Sequence, residues 1–318
     1  MSVEFREPVM LGREQHDRDA VARTREGLVD ELREHENTRI LLVHNSRSLV
    51  SDDAIVFVRA TDVPGDAVFV YLGRELDVAD EDGAFLAAFS AGSTDEWEAL
   101  AATHGAEWAD LRVVGSALST RDAGLFTQAI AVFHWHQSHP HNPRSGSLTE
   151  PAQAGWVRAA VDDGSHVFPR TDPAVIVLVT DEDDRILLGN NALWEADRFS
   201  LLAGYVDPGE SLESAVVREI FEESGLRVVN PTYAGSQPWP FPGSVMMGFT
   251  AQLAPGQNPD AHAADGEEIL RLRWFTRDEL KASVDQIKLP GRVAIARWMI
   301  ERWLGEEIDQ ESGWRGTR

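Results

Sequence analysis

The stretch "SLESAVVREIFEESG", Ser211 to Gly225, reads as a helix with carboxylates where an apolar face should be. At about 100° per residue, Leu212, Ala215 and Val216 share one face. Glu219 and Glu223 fall on the same side, about 40° apart, and Glu222 lies beside Glu219. Residues three and four apart are neighbours on a helix, so three carboxylates converge at the end of an apolar stripe. Like charges so placed repel and are costly to desolvate. A divalent cation offsets this directly, because carboxylates are natural ligands of hard Mg²⁺ or Mn²⁺. Arg218 can hold one carboxylate in position through a bidentate contact. For "REIFEE" alone, a solvated acidic face is the commoner outcome; the surrounding spacing argues against it.

A second stretch, "SQPWPFPGS", Ser236 to Ser244, sets Trp239 and Phe241 among three prolines. Proline fixes φ and removes a backbone donor, so the run is neither a helix nor a central strand. It is either a turn that tucks two aromatics into the core or a preset clamp for a flat ring.

The elements that must position these residues follow from the hydrophobic pattern. "AVIVLVTDEDDRILLGN" reads as strand, acidic turn, strand, and "FSLLAGYV" as a strand. Ser211 is a plausible N-cap and Gly225 a plausible stop for the acidic helix. "VMMGFTAQLA" and "LRLRWF" read as strands, and "RVAIARWMIERWLGEE" as a closing amphipathic helix. Earlier, "RILLVHNSRSLV", "AIVFVRA" and "AVFVYLG" read as strands, and "AFLAAFSAG" and "DEWEALAATHG" as helices. Residues 138–170 have connector composition. The pattern gives an α+β or α/β chain in three parts, 1–137, 138–170 and 171–318.

The chain of 318 residues carries 53 acidic against 29 basic side chains, a net charge of -24. Such a chain repels extended polyanions, so a grip on the body of a nucleic acid is not expected. It has no cysteine, which excludes disulfides, thiolate metal sites and cysteine nucleophiles. The first 28 residues hold no apolar stretch of signal-peptide length, and no run reaches the roughly 18 residues of a membrane span. No membrane association is expected, and the expected setting is the cytoplasm.

From Gly204 the chain runs five residues, Glu210, seven residues, then Arg218-Glu219-Ile220-Phe221-Glu222-Glu223-Ser224-Gly225-Leu226. Every fixed position agrees with the Nudix box, so the chain resembles Nudix hydrolases, which cleave a nucleoside diphosphate linked to another moiety. "SQPWPFPGS" resembles the second signature of one branch, the NADH pyrophosphatases or NAD-capped RNA hydrolases, in which this loop lines the dinucleotide site. The physics agrees: prolines reduce the ordering entropy, and aromatic faces stack on a base or on nicotinamide.

The resemblance implies a Nudix fold, a mixed sheet flanked by helices, at 171–318. A smaller α/β N-terminal domain and a zinc-ribbon-like connector would precede it. It implies metal ligation by Glu219, Glu223 and Glu268 and by the carbonyl of Ala203, with Glu222 auxiliary. Glu268 stands six residues before Trp274, and Glu267 is its less favoured neighbour. Gln237, Pro238, Trp239, Pro240, Phe241, Pro242, Gly243 and Ser244 would line the substrate. Ala294, Phe168 and, through a gapped alignment, Arg112 would join them. The implied chemistry is in-line attack of a metal-activated water on the diphosphate, with Glu268 or Glu222 taking the proton. NADH or NAD⁺ would yield AMP and nicotinamide mononucleotide, and an NAD-capped RNA 5′ end would use the same site. A homodimer is also implied.

One departure stands out. The four zinc-ligand positions of the family's ribbon fall at Asn142, Ser145, Ala160 and Asp163. Ala160 cannot ligate, and Asn and Ser are poor zinc ligands, so the connector is a degenerate, cysteine-free ribbon without zinc. A substitute cage from His134, His136, His139 and His141 is disfavoured by Pro140, although His134 and His136 would share a face on a strand. Two other readings remain: hydrolysis of ADP-ribose, a nucleotide sugar or a dinucleoside polyphosphate, and a non-catalytic nucleotide sensor.

Overall fold

The computed structural model describes residues 9–12, 15–76, 83–90 and 95–309. The chain divides into two compact units. One comprises residues 13–171 with 239–243, the other residues 1–12, 172–238 and 244–318. Of the first 28 residues read for a leader, residues 1–8, 13 and 14 lie outside the described residues, as do Ala91 and Gly92. No helix among the described residues is long and apolar enough to cross a membrane.

The first unit carries strands β1 (His16–Asp17), β2 (Arg39–Val43), β3 (Arg47–Ser51), β4 (Ala54–Ile55), β5 (Val68–Glu75) and β6 (Ala84–Phe89). β7 (Glu107–Asp110), β8 (Thr149–Ala152), β9 (Val157–Ala160) and β10 (His166–Val167) follow. Its helices are α1 (Leu28–Glu34), α2 (Asp95–Thr103), α3 (Leu111–Val114) and α4 (Thr120–Ser138). Among the described residues the sheets run β1-β5-β6-β2, β4-β3-β7 and β10-β9-β8. Ile40, Leu42, Leu49, Leu86 and Trp97 fill one core between them.

Two sequence expectations change here, and the segment holding His134 and His136 proves helical. "AFLAAFSAG" is not helical: Ala84–Phe89 is β6, buried along its whole length between β5 and β2. A short run apolar on every side carries no period to tell helix from strand. "AIVFVRA" is a strand only at Ala54–Ile55, with Val56 N–H donating to Leu49 O at 2.9 Å and a single bridge at Val58. The "HWHQS" segment is the end of α4, not a strand. A two-residue step on a helix turns about 200°, so His134 and His136 do not share a face. The helix is hard to read because it is buried nearly all round and lacks a polar stripe.

The connector holds two similar turns. Gly146 N–H donates to Asn142 O at 2.8 Å, and Gly164 N–H donates to Ala160 O at 2.9 Å. Both glycines have positive φ, 77° and 70°, which such turns require. Asn142 Nδ2 donates to Ser165 Oγ at 2.8 Å, tying one turn to the other.

The second unit adds β11 (Asp172–Thr180), β12 (Ile186–Asn191), β13 (Leu202–Tyr205), β14 (Val228–Trp239), β15 (Ser244–Leu253) and β16 (Ile269–Phe275). Its helices are α5 (Leu212–Ser224), α6 (Arg277–Ser283) and α7 (Ile295–Leu304). The sheet order is β14-β15-β11-β12-β16, with β13 antiparallel to β11. β11 and β15 are parallel, so the sheet is mixed. β11 is apolar on both faces because both are covered. Val175, Val177 and Val179 pack with Ala215, Val216 and Ile220 of α5. Ile176 and Leu178 pack with Ile295, Met299 and Ile300 of α7. β14 is an edge strand, which accommodates Pro231 and Pro238.

Candidate functional site

Helix α5 begins where Ser211 Oγ accepts the Ser214 N–H at 3.1 Å and ends at Gly225, φ 69°. This fixes the rotation of Glu219, Glu222 and Glu223 against β13. Gly204 is required there by space: a Cβ on it would come within 2.1 Å of the Glu219 carboxyl.

Arg218 is the hub. Its Nε and Nη2 donate to both Glu210 oxygens at 2.9 and 2.7 Å. Nη2 also donates to Tyr205 O at 2.9 Å. Nη1 donates to Glu219 Oε1 at 2.7 Å and to Glu222 Oε2 at 3.1 Å. The hydrogen bonds from Arg218 hold the Glu210 carboxyl below its ordinary range.

Glu223 lies in a different environment. It is 5% exposed, and its Oε2 has no hydrogen-bond partner. Burial, then the Glu268, Glu219 and Asp265 carboxylates, push its pKa up to about 9. A hydrogen bond to the Ala203 backbone acts the other way. Burial also raises Glu219, against the pull of Arg218. Glu268 is exposed; its N–H donates to Asp265 Oδ1 at 2.7 Å, and its Oε1 lies 3.5 Å from Asn191 Nδ2.

A buried carboxylate oxygen without a donor, beside two more carboxylates, fits a hard divalent cation. The side chains do not stand as a closed cage: among the described residues no three such groups are placed to hold an ion. Arg218 occupies Glu219, so a cation has to compete for it. Asp265 was not singled out from sequence, although it organises this loop by accepting the N–H groups of Glu267, Glu268 and Ile269. The "DG" pair just ahead of the two glutamates was the available signal. None of Glu219, Glu222, Glu223 and Glu268 lines the cleft formed by Phe199, Arg271, Arg273 and Gln286.

The proline–aromatic stretch splits in role. Gln237 is wholly buried. Its Nε2 donates to Val293 O at 2.6 Å, and its Oε1 accepts the Ile295 N–H at 2.8 Å. Both ends of its amide are therefore engaged inside the protein, at the start of α7 on either side of Ala294. Ser244 Oγ is 3.1 Å from Tyr205 Oη.

Trp239 and Phe241 belong to the first compact unit and are half-buried. Their rings meet edge to face at 5.1 Å. Arg112 is bidentate on Asp110 at 3.0 and 2.6 Å, and its guanidinium lies over the Phe241 ring at 4.8 Å. The structure thus brings Arg112 to the loop, with its charge already paired. Phe168 is 62% exposed, edge-on to His166.

Residues 170–298 match the NUDIX domain, and residues 37–135 match the NADH pyrophosphatase-like rudimentary NUDIX domain. The chain is 40% identical over 258 residues to the "NAD-capped RNA hydrolase NudC" of Mycobacterium bovis (strain BCG / Pasteur 1173P2), covering 75% of this chain and 81% of that protein. The protein of the same name from Mycobacterium tuberculosis (strain ATCC 25618 / H37Rv) matches with the same identity and coverage. "NAD-capped RNA hydrolase NUDT12" of Homo sapiens is 34% identical over 201 residues, 59% of this chain and 43% of that protein.

Proposed function

The chain belongs to the Nudix hydrolases, in the branch that joins a box-bearing domain to an NADH pyrophosphatase-like one, and from that premise we propose that it hydrolyses the diphosphate of NAD(H). The products are AMP and nicotinamide mononucleotide, and an NAD cap on an RNA 5′ end is cut through the same site. The observation that carries this reading is Glu223, a buried carboxylate with an unpartnered oxygen beside Glu219 and Glu268.

Glu219, Glu223 and Glu268, with the Ala203 carbonyl, would hold Mg²⁺ or Mn²⁺, and Glu222 stands by as an auxiliary. Held there, a cation would offset the charge of the diphosphate and make a water more acidic. Arg218 orients Glu219 and Glu222 and keeps Glu210 charged. Glu268, exposed beside the cluster, or Glu222 would take the proton. Trp239 and Phe241 offer ring faces to the base or nicotinamide, and Phe168 offers a third. Gln237 acts from behind, fixing the backbone at Ala294. We further take the protein to be a cytoplasmic homodimer without structural zinc.

The test is product identification over NADH, NAD⁺, ADP-ribose and an NAD-capped transcript with Mg²⁺ or Mn²⁺. AMP and nicotinamide mononucleotide from NADH support the reading. Preferred turnover of ADP-ribose, or full activity in excess chelator, refutes it.

A further inference from the structure

The turn Trp239–Gly243 cannot hold itself together. Pro240 and Pro242 have no N–H to donate. Within the turn, Phe241 N–H reaches Trp239 O at 2.8 Å, which leaves the Pro240 and Pro242 carbonyls to be satisfied from outside. His134, near the end of α4, supplies the donor. Its Nδ1 is 2.7 Å from Pro240 O and 3.2 Å from Pro242 O. A carbonyl only accepts, so the Nδ1 of His134 carries the proton. Its Nε2 lies 2.7 Å from Ser46 Oγ. In the neutral ring Nε2 accepts from that hydroxyl, which selects the Nδ1–H tautomer. Burial of the ring, with the Arg112 charge nearby, favours the neutral form.

Ser46 sits at φ 61°, a left-handed conformation in which glycine is the easier residue. A serine there gives His134 a hydroxyl that glycine would not. From the other side, Arg112 packs on Phe241 while Asp110 holds it in place. Ser46, Asp110, Arg112, His134 and the turn all lie in one compact unit.

We propose that His134, oriented by Ser46, is a positioning residue that locks the Trp239–Gly243 turn and thereby sets affinity for the ring that stacks on it. This rests on the reading that the turn binds the base or nicotinamide. His134 does not touch the reacting atoms.

The experiment combines steady-state kinetics on NADH with amide exchange of the 236–244 segment. The variants are His134→Ala, His134→Asn, Ser46→Gly and Phe241→Ala. His134→Ala should speed exchange at Phe241 and raise KM by about five- to tenfold, the size of one lost hydrogen bond, with kcat within about twofold. Asn places an amide nitrogen where Nδ1 stood, so His134→Asn should restore most of the KM. Ser46→Gly suits its backbone and should fold at least as well as the wild type, yet raise KM. Unchanged exchange in His134→Ala overturns the proposal. So does unchanged KM in His134→Ala when Phe241→Ala raises it. If KM is unchanged in Phe241→Ala as well, the turn does not bind the ring, and the proposal falls with that reading.

Discussion

Replacing Glu223 by glutamine keeps the shape of the side chain and removes its charge. In the folded chain, burial and the carboxylates of Glu268, Glu219 and Asp265 raise this group from 4.5 to about 9. The folded state therefore holds the proton more tightly than the unfolded state does. Stability falls as pH rises from 4.5 toward 9 and is lost no further above that. At about 1.4 kcal/mol per unit, the cost is about 1 kcal/mol or less at pH 5 and on the order of 5 kcal/mol at pH 8. Glutamine does not bear this cost, and its amide can donate toward the neighbouring carboxylates. In chelator at pH 8, Glu223→Gln should therefore melt higher than the wild type, on the order of 10 °C at roughly 2–4 °C per kcal/mol. The gap should close toward pH 5. Adding Mg²⁺ or Mn²⁺ should stabilise the wild type more than the variant, because binding replaces the proton on a carboxylate that only the wild type has. NADH hydrolysis should drop by orders of magnitude in the variant. Calorimetry in EDTA at both pH values, then with metal, measures all but the last, and AMP release measures that. A variant less stable than wild type at pH 8 in chelator, or a gap independent of pH, would refute the picture of a strained carboxylate kept for a cation.

Phe241→Ala should raise KM for NADH, since base–aromatic stacking is worth about 1–3 kcal/mol; a lower melting temperature with unchanged KM would assign the turn to the core instead. His136 is buried, with Nε2 on Gly155 O at 2.9 Å and Nδ1 accepting from Arg158 at 2.9 Å, and burial lowers its pKa to about 4. Its contribution is fully present above 6.5 and is lost as pH falls through about 4, so His136→Gln should flatten the acid limb of a pH–stability curve; an unchanged limb counts against it. Asn142→Ala should speed proteolysis within 138–170, because it removes the bond to Ser165, while added zinc should protect neither protein. Stoichiometric zinc that survives dialysis and is lost in His139→Ala would overturn that expectation.

The box was legible because its residues are constrained by chemistry at fixed helical spacing. Ser211, Gly225 and the strands "AVIVLVT" and "ILLGN" formed where local signals put them. The first unit was less legible for an equally physical reason. β6 and α4 are each buried on nearly every side, and a segment without a polar face has no period to read. Partners distant in sequence were also hidden. Gln237 looks like a ligand contact by position, yet its amide is consumed by Val293 and Ile295.

The connector joins these two cases. Its lack of the family's zinc ligands was plain from the sequence, but the hydrogen bonds that tie its turns together were not. The two glycine turns remain, at Gly146 and Gly164, and a direct Asn142–Ser165 hydrogen bond links them. Arg158 adds a second tie, donating through Nε to Thr149 Oγ1 at 2.7 Å and through Nη1 to His136. Among the described residues, hydrogen bonds from Asn142 and Arg158 tie these turns to one another and to β8 and α4. His134 and His136 have separate partners. His136 anchors the connector to α4, and His134 reaches the Trp239–Gly243 turn. Two side chains two residues apart on one helix thus serve opposite directions, because a two-residue step turns about 200°.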